Sequence, residues 1–405
     1  MRVAIIGAGF SGMLAAYLLE KEGIGVTVYE KQEHIGGHCR TFSSKELYAE
    51  LGTVFSFSKH IKELLIELQV DYTERFTYRN FVDENFHDVE HISREDATLL
   101  MNELVKLEGI LKKYDEPLNA VNYGFIHNDL LIPLCQFLRK HDLKIFRDVI
   151  APYLSSYGFG DISNTQAYYV FKVFTLEIIY SFIRGDKLLF INKGTSQIIQ
   201  KLSQNISDIR YSIEVHNVEV IGNKVKVETI YGSHHYDKVL ITTKLPRDVI
   251  KDDLYNHLMK KIDTNPFITC AYEVTNKNIV TTYYKGNLGK IGKMQFFHTY
   301  KQNNRTILVA YAYGNLQKDL ISGITEDLQR SRIAVKHLIT AKQWYIFPHL
   351  KIHNLTSNFY QDISERQRVS NICLIGSLVC EPSIDNLYIS VKNSVSELLK
   401  GYRSK

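Results

Sequence analysis

Three glycines near the N-terminus have the spacing of a phosphate cradle. Gly7-x-Gly9-x-x-Gly12 follows a short apolar, β-branched run at residues 2–6 and opens an Ala/Leu-rich stretch at 13–22 that Gly23 closes. In such a turn the first glycine permits the tight bend and the second lets backbone approach a pyrophosphate. The third lets helix and strand pack closely, and the helix N-terminus faces the negative charge. Phe10 and Ser11, between the glycines, are assigned to the same cradle. Glu30 ends a second apolar run at 26–29, where an acid can accept hydrogen bonds from ribose hydroxyls, and Lys31 stands beside it. Gly36-Gly37 then offers backbone amides with no Cβ in the way. His38 and Arg40 follow, and Arg40 adds a fixed positive charge for phosphate. The chemistry these types imply is the holding of a dinucleotide by its adenosine and pyrophosphate.

The elements around them predict a βαβ unit at the start of an α/β fold. Apolar residues at three- and four-residue spacing predict helices at 60–68, 97–113, 130–143 and 167–182. A β-rich stretch begins near Ile213, with strands at 215–220, 224–229 and 238–242 joined by turns at Gly222-Asn223 and Gly232-Ser233. Strands rich in bulky aromatics are predicted at 269–284 and 293–313, then a helix at 326–338, a strand at 372–375 and a last helix at 387–400. There is no internal repeat and no low-complexity linker, so the domains are expected to interleave: 1–58, 187–250 and 365–405 as one unit, 59–186 as a helical insertion, and 251–364 as a mixed-sheet unit.

The stretch Glu30-Lys-Gln-Glu-His-Ile-Gly36-Gly37-His-Cys-Arg40-Thr41 resembles the amine-oxidase-like flavoprotein superfamily. In that superfamily an arginine commonly follows the glycine pair directly; here His38 takes that place. The resemblance implies FAD as cofactor and a Rossmann-type FAD-binding domain interleaved with a mixed-sheet substrate domain and a helical insertion. It implies further that Glu50-Leu51-Gly52-Thr53 passes near the flavin ring and that the backbone of Val218 meets the adenine. Cys373-Leu-Ile-Gly376-Ser377 resembles the last FAD contact, with Ser377 where the superfamily carries an acid. The backbone amides of Asp385 and Asn386 fall where the superfamily sets a helix N-terminus against the flavin pyrimidine edge.

Ser155-Ser-Tyr157-Gly158-Phe-Gly160, Tyr180-Ser181-Phe182-Ile-Arg-Gly185-Asp186 and Trp344-Tyr345-Ile346-Phe347-Pro348-His349 resemble a bacterial polyenoic fatty acid (linoleate) double-bond isomerase family. Arg79-Asn80-Phe81-Val82 and Met294-Gln-Phe-Phe-His298 fit the same register. In that family the flavin takes a hydride from a methylene between double bonds and returns it to another carbon, with no net redox change. The resemblance implies an apolar small-molecule substrate, with Arg79 binding its carboxylate, Phe182 gating its tail and Tyr157 lining the channel. No side-chain acid or base is required, because the flavin accepts and donates. Trp344, His349 and His298 read as packing residues. Three other readings stay open. An amine oxidase shares the nucleotide signature; a sugar-nucleotide mutase would need an arginine set that is not recognisable here; a flavin-binding protein without catalysis is suggested by Ser377.

Composition narrows the classes further. The chain has 405 residues, enough for two or three domains, with 45% apolar and 23% charged residues, an ordinary globular balance. A net charge of +5 with no basic run argues against nucleic-acid binding. Five cysteines, an odd number with no C-x-x-C, argue against a disulfide scaffold or zinc site and predict reduced thiols in a cytoplasmic protein. Only Met1 precedes the first strand, so no signal peptide is expected. No run reaches the about 18 apolar residues of a membrane span, which leaves peripheral membrane contact open. Nothing in the sequence sets an oligomeric state.

Overall fold

Val3 to Ile6 are buried in succession, with no polar alternation, as in a strand covered on both faces. In the computed structural model, which describes residues 1–44, 47–56 and 60–403, this strand, Arg2–Ile6, is the centre of a five-stranded parallel sheet. Gly25–Tyr29 and then Ile209–Arg210 lie on one side of it, Lys238–Ile241 and then Ile372–Leu374 on the other. Segments far apart in sequence therefore complete one nucleotide-binding sheet. The helices Phe10–Lys21 and Ile384–Arg403 pack together against it through Met13, Leu14, Val391 and Val395. A three-stranded antiparallel meander, Val215–Ile221, Lys224–Thr229 and Gly232–Tyr236, stands beside it. The Tyr29 and Tyr236 hydroxyls meet at 2.6 Å.

A second, seven-stranded mixed sheet runs Val335–Leu350, Ile262–Val274, Arg305–Tyr313, Met294–Gln302, Thr281–Tyr284, Arg79–Val82, Asp88–Val89. All neighbours are antiparallel except Arg79–Val82, which pairs parallel with Thr281–Tyr284 and places Arg79 opposite Thr281. Asn303 and Asn304, both with positive φ, make the tight hairpin that the right-handed strand twist favours. Helix Lys318–Arg330 covers one face through Ile324 and Leu328. The other face joins the aromatic core of the helical section, in which Lys144–Tyr157, Ala167–Val173 and Leu176–Arg184 are the helices nearest the candidate site.

Three predicted elements are corrected. The helix expected at 326–338 ends at Arg330, because Arg332 turns left-handed at φ 59° and the chain becomes the sixteen-residue strand Val335–Leu350. Long pairing with Ile262–Val274 outweighs any local helical preference of residues 335–338. The expected helix at 167–182 breaks after Val173, and Thr175 caps a new one by accepting from the Ile178 amide. The helix expected at 130–143 is confined to Leu134–Lys140, after Pro133. The boundary expected between residues 58 and 59 lies outside the described residues.

Candidate active site

The glycine cradle forms as a crossing of two backbones. Gly9 caps the helix Phe10–Lys21 without any side-chain cap bond, so the amides of its first turn are left for an anion. A Cβ on Gly12 would stand 2.0 Å from the Gly7 carbonyl oxygen; this close packing of helix on turn admits only glycine. Gly9 bridges Gly36, and the Gly36 amide donates to the Ala8 carbonyl at 2.8 Å. Glu30 sits half-buried at the end of Gly25–Tyr29 and accepts from the Ala8 and Gln32 amides, each at 2.8 Å. Each of its oxygens keeps a lone pair for a hydroxyl. Phe10 and Ser11 are buried in the first turn, while Lys31 is exposed and Arg40 half-buried. Among the described residues no carboxylate pairs with Arg40.

At the other end of the cradle His38 combines two properties. Its side chain is exposed, yet burial pushes its imidazole pKa down. This ring packs edge-on to Trp344 at 5.3 Å. The His38 carbonyl accepts from the Thr53 amide at 2.9 Å, and a Cβ on Gly52 would approach that carbonyl oxygen to 2.0 Å. Glu50, buried, anchors the same loop: the Thr195 amide donates to it at 2.5 Å and the Thr195 and Thr41 hydroxyls at 2.9 and 3.1 Å. Gly376 lies against Ser11, and among the described residues the Ser377 hydroxyl has no protein partner.

Two expectations for the cofactor contacts need revision. The Val218 amide donates to the Val249 carbonyl, and the Val218 carbonyl accepts from Lys251, both at 2.8 Å; that amide is committed within the fold and not open to an adenine. The Asn386 amide donates to the Ser383 hydroxyl at 3.2 Å, which leaves the Ile384 and Asp385 amides as the open ones at this helix start. The Asp385 carboxylate turns away and accepts from the Ile61 amide at 2.9 Å, capping the helix Ile61–Glu67.

Arg79, Tyr157 and Phe182 come together around one aromatic run. The Arg79 guanidinium lies 5.3 Å from the Phe182 ring centre and 5.6 Å from that of Tyr153. Phe182 packs on Tyr153 at 4.3 Å and on Phe174 at 5.9 Å; Tyr157 joins Phe174 at 5.8 Å and Phe159 at 5.6 Å. Among the described residues no carboxylate lies within ion-pair distance of Arg79. Tyr157 ends the run on a buried acid: its hydroxyl donates to Glu381 at 3.0 Å, and the Ser383 amide donates to the same oxygen at 2.8 Å. Burial raises the Glu381 pKa. Tyr153 and Glu381 had not been singled out. Tyr153 stands one helical turn before Tyr157, a spacing that signals a shared face. Glu381, in a Cys-Glu-Pro-Ser loop, carries no such signal.

Trp344 and His349 pack as expected. The Trp344 Nε1–H donates to the Thr269 hydroxyl at 3.1 Å, and His349 stacks on Phe347 at 4.8 Å. His298 is buried, with its Nδ1 at 2.8 Å from the Thr281 hydroxyl. Burial and then the Arg79 and Arg75 charges push its pKa down to about 3, so its imidazole is neutral.

A parallel sheet with a glycine crossing at its carboxyl edge, an acid at the end of the second strand, and a mixed sheet joined to a cluster of packed aromatic rings define a flavoprotein of the amine-oxidase type. The sequence profile of the flavin-containing amine oxidoreductases matches residues 10–343. The chain belongs to that family, and its cofactor is FAD. The fold matches a conjugated-linoleic-acid-producing fatty acid isomerase from P. acnes with a TM-score of 0.89, at 21% identity over 98% of both chains. It matches wild-type putrescine oxidase bound to putrescine with a TM-score of 0.74, at 13% identity over 99% of both chains. Among curated sequences, an L-amino-acid oxidase from Trimeresurus stejnegeri is 27% identical over 260 residues, 58% of this chain and 47% of the oxidase. The chain spans about half the length of the curated relatives it matches, or less. Among the described residues no helix is long and apolar enough to cross a membrane.

The residues present fit the cofactor. The Gly9–Gly37 approach leaves a groove that a Cβ on Gly37 would narrow, 3.1 Å from the Gly9 Cα. The Ser377 hydroxyl, without a partner among the described residues, follows Gly376 where that glycine lies against Ser11.

Proposed function

We propose that this chain is an FAD-dependent double-bond isomerase or oxidoreductase acting on a long, apolar, unsaturated carboxylic acid, of the polyunsaturated fatty acid class. The observation that carries this reading is the Arg79 guanidinium, without a carboxylate partner among the described residues, capping a run of aromatic rings. A planar guanidinium matches a carboxylate bidentately, and the rings receive an alkene chain and exclude water. The contacts of Arg79 with Phe182 and Tyr153 hold it in place until an anion arrives. Gly7, Gly9, Gly12, Glu30, Gly36 and Gly37 hold the adenosine and pyrophosphate end of the cofactor, with Phe10, Ser11 and Arg40 beside them. His38, Gly52, Thr53, Gly376, Ser377 and the first amides of the last helix face its flavin end. Bound FAD supplies the hydride acceptor and donor. The structural likeness to a fatty acid isomerase supports the substrate class.

Anaerobic mixing with a panel of polyunsaturated acids and amines, following flavin absorbance and product structure, tests the reading. Isomers of an acid formed without lasting bleaching are expected. Lasting bleaching by an amine, with no change in the acids, would assign the chain to amine oxidation instead. Arg79→Ala is expected to weaken binding of the acid by about 1.5–3 kcal/mol, the scale of a charge-assisted hydrogen bond. Equal affinity of wild type and variant for the acid would remove Arg79 from this role.

A further inference from the structure

Thr281, the cross-strand partner of Arg79, lines a space that the proposed isomerase chemistry does not use. It is a cavity of about 170 Å³, bounded by Val54 just past the Thr53 loop, by the Arg75–Tyr78 turn, by Phe190 and by the Thr281–His298 pair. Among the described residues its walls carry no acid. Arg75 lies 4.0 Å above the Phe190 ring and has no carboxylate within ion-pair distance among the described residues. The Thr77 hydroxyl is buried with no hydrogen-bond partner. His298 is 6% exposed, and with Nδ1 held by Thr281 its Nε2 has no partner among the described residues. A buried hydroxyl without a partner loses hydration for nothing in return unless a ligand or water meets it. The same lining includes the apolar side chains Phe76, Phe190, Ile279 and Val280. Phe76 and Val280 are exposed at the rim, 58% and 40%. A lining that combines a cation and hydrogen-bonding groups with apolar side chains suits an anion that carries an alkyl chain; a bare inorganic anion would leave the apolar part unmatched.

We infer that this cavity is a carboxylate-binding vestibule, in which Arg75, the Thr77 hydroxyl and His298 take the head group of an alkyl carboxylate while Phe76, Phe190 and Val280 receive its first carbons. The inference deepens the proposed substrate class and rests on it, adding a station separate from Arg79. The neutral state of His298 suits the role, since its ring can then present Nε2–H to a carboxylate without bringing a third charge beside Arg75 and Arg79.

Isothermal titration of the FAD-loaded protein with hexanoate, hexanol and inorganic phosphate at pH 7 and low salt tests it. Hexanoate is expected to bind, with hexanol and phosphate at least about tenfold weaker. Arg75→Gln is expected to weaken hexanoate about tenfold or more, and Thr77→Val about fivefold, the sizes of a charged and a neutral hydrogen bond. Flavin content and melting temperature are expected to stay at wild-type values. Unchanged hexanoate affinity in both variants, or phosphate binding as tightly as hexanoate, overturns the vestibule. If Arg79→Gln alone abolishes hexanoate binding, the vestibule fails while the proposed function stands. If Arg75→Gln weakens hexanoate but no unsaturated acid is converted, the vestibule stands and the proposed function fails.

Discussion

Gly12→Ala is expected to purify with little or no flavin and to unfold well below the wild type. The added Cβ would stand 2.0 Å from the Gly7 carbonyl oxygen and 3.1 Å from its carbon. Both are backbone atoms, so no rotamer relieves the clash; the helix Phe10–Lys21 must move off the strand Arg2–Ile6. That movement removes the close packing on which the phosphate-facing amides depend. Overpacking of this kind costs about 3 kcal/mol or more. Gly9→Ala separates folding from cofactor binding. Its Cβ would meet the Gly37 Cα at 3.9 Å, an ordinary contact, so the fold tolerates it. The methyl group nevertheless stands in the groove between the two glycines. Flavin absorbance relative to protein absorbance, with thermal melts, reads both variants. Wild-type flavin content in Gly12→Ala would show that the cradle is not where the cofactor is held.

The second large effect is on pH dependence, and it centres on Glu50. Burial, opposed by the Thr195 and Thr41 hydrogen bonds, pushes this carboxyl up from 4.5 to about 8. Between those values the folded state binds more protons than the unfolded chain. The stability this group contributes is therefore full below its unfolded pKa and is lost as pH rises toward 8. At about 1.4 kcal/mol per pH unit, the whole window amounts to roughly 5 kcal/mol as an upper bound. Glu50→Gln keeps the shape and has no proton to lose. Its carbonyl can accept from the Thr195 amide while its NH₂ donates to the Thr195 or Thr41 hydroxyl. Urea unfolding of both proteins at pH 5.5 and 8 in excess FAD is expected to show the wild type weakening with pH and the variant nearly flat by comparison. Parallel pH dependence in the two proteins would mean that Glu50 titrates normally.

The nucleotide end was legible because its physics is local. Gly7, Gly9, Gly12 and Glu30 lie within one βαβ unit, where spacing alone fixes which backbone approaches which. The long strand Val335–Leu350 was not legible. Lys336, His337 and Lys342 interrupt its apolar positions, and only pairing with Ile262–Val274 makes it a strand. Val218 was misread for a similar reason: its partners, Val249 and Lys251, lie thirty residues downstream and leave no pattern at Val218 itself. Asp385 sat in the expected helix start, but its carboxylate serves Ile61, a contact made across the whole chain. The aromatic run was half visible: Tyr157 and Phe182 stood out in segments with family likeness, whereas Tyr153 did not. Arg75 and Thr77 acquire meaning only once the fold brings Thr281 and His298 to face them.

The order of strands in the parallel sheet also bears on how the protein is made. Its central strand is synthesised hundreds of residues before the edge strand Ile372–Leu374 and the Gly376 turn that closes on Ser11. The helix Ile384–Arg403, whose first amides the proposed function sets at the flavin end, comes later still. A growing chain can thus shape the adenosine half of the groove hundreds of residues before it can close the flavin half. Tight capture of the cofactor is consequently a late event in the life of the nascent chain, and the interval before it is when the unfilled groove is most open to chaperones and proteases.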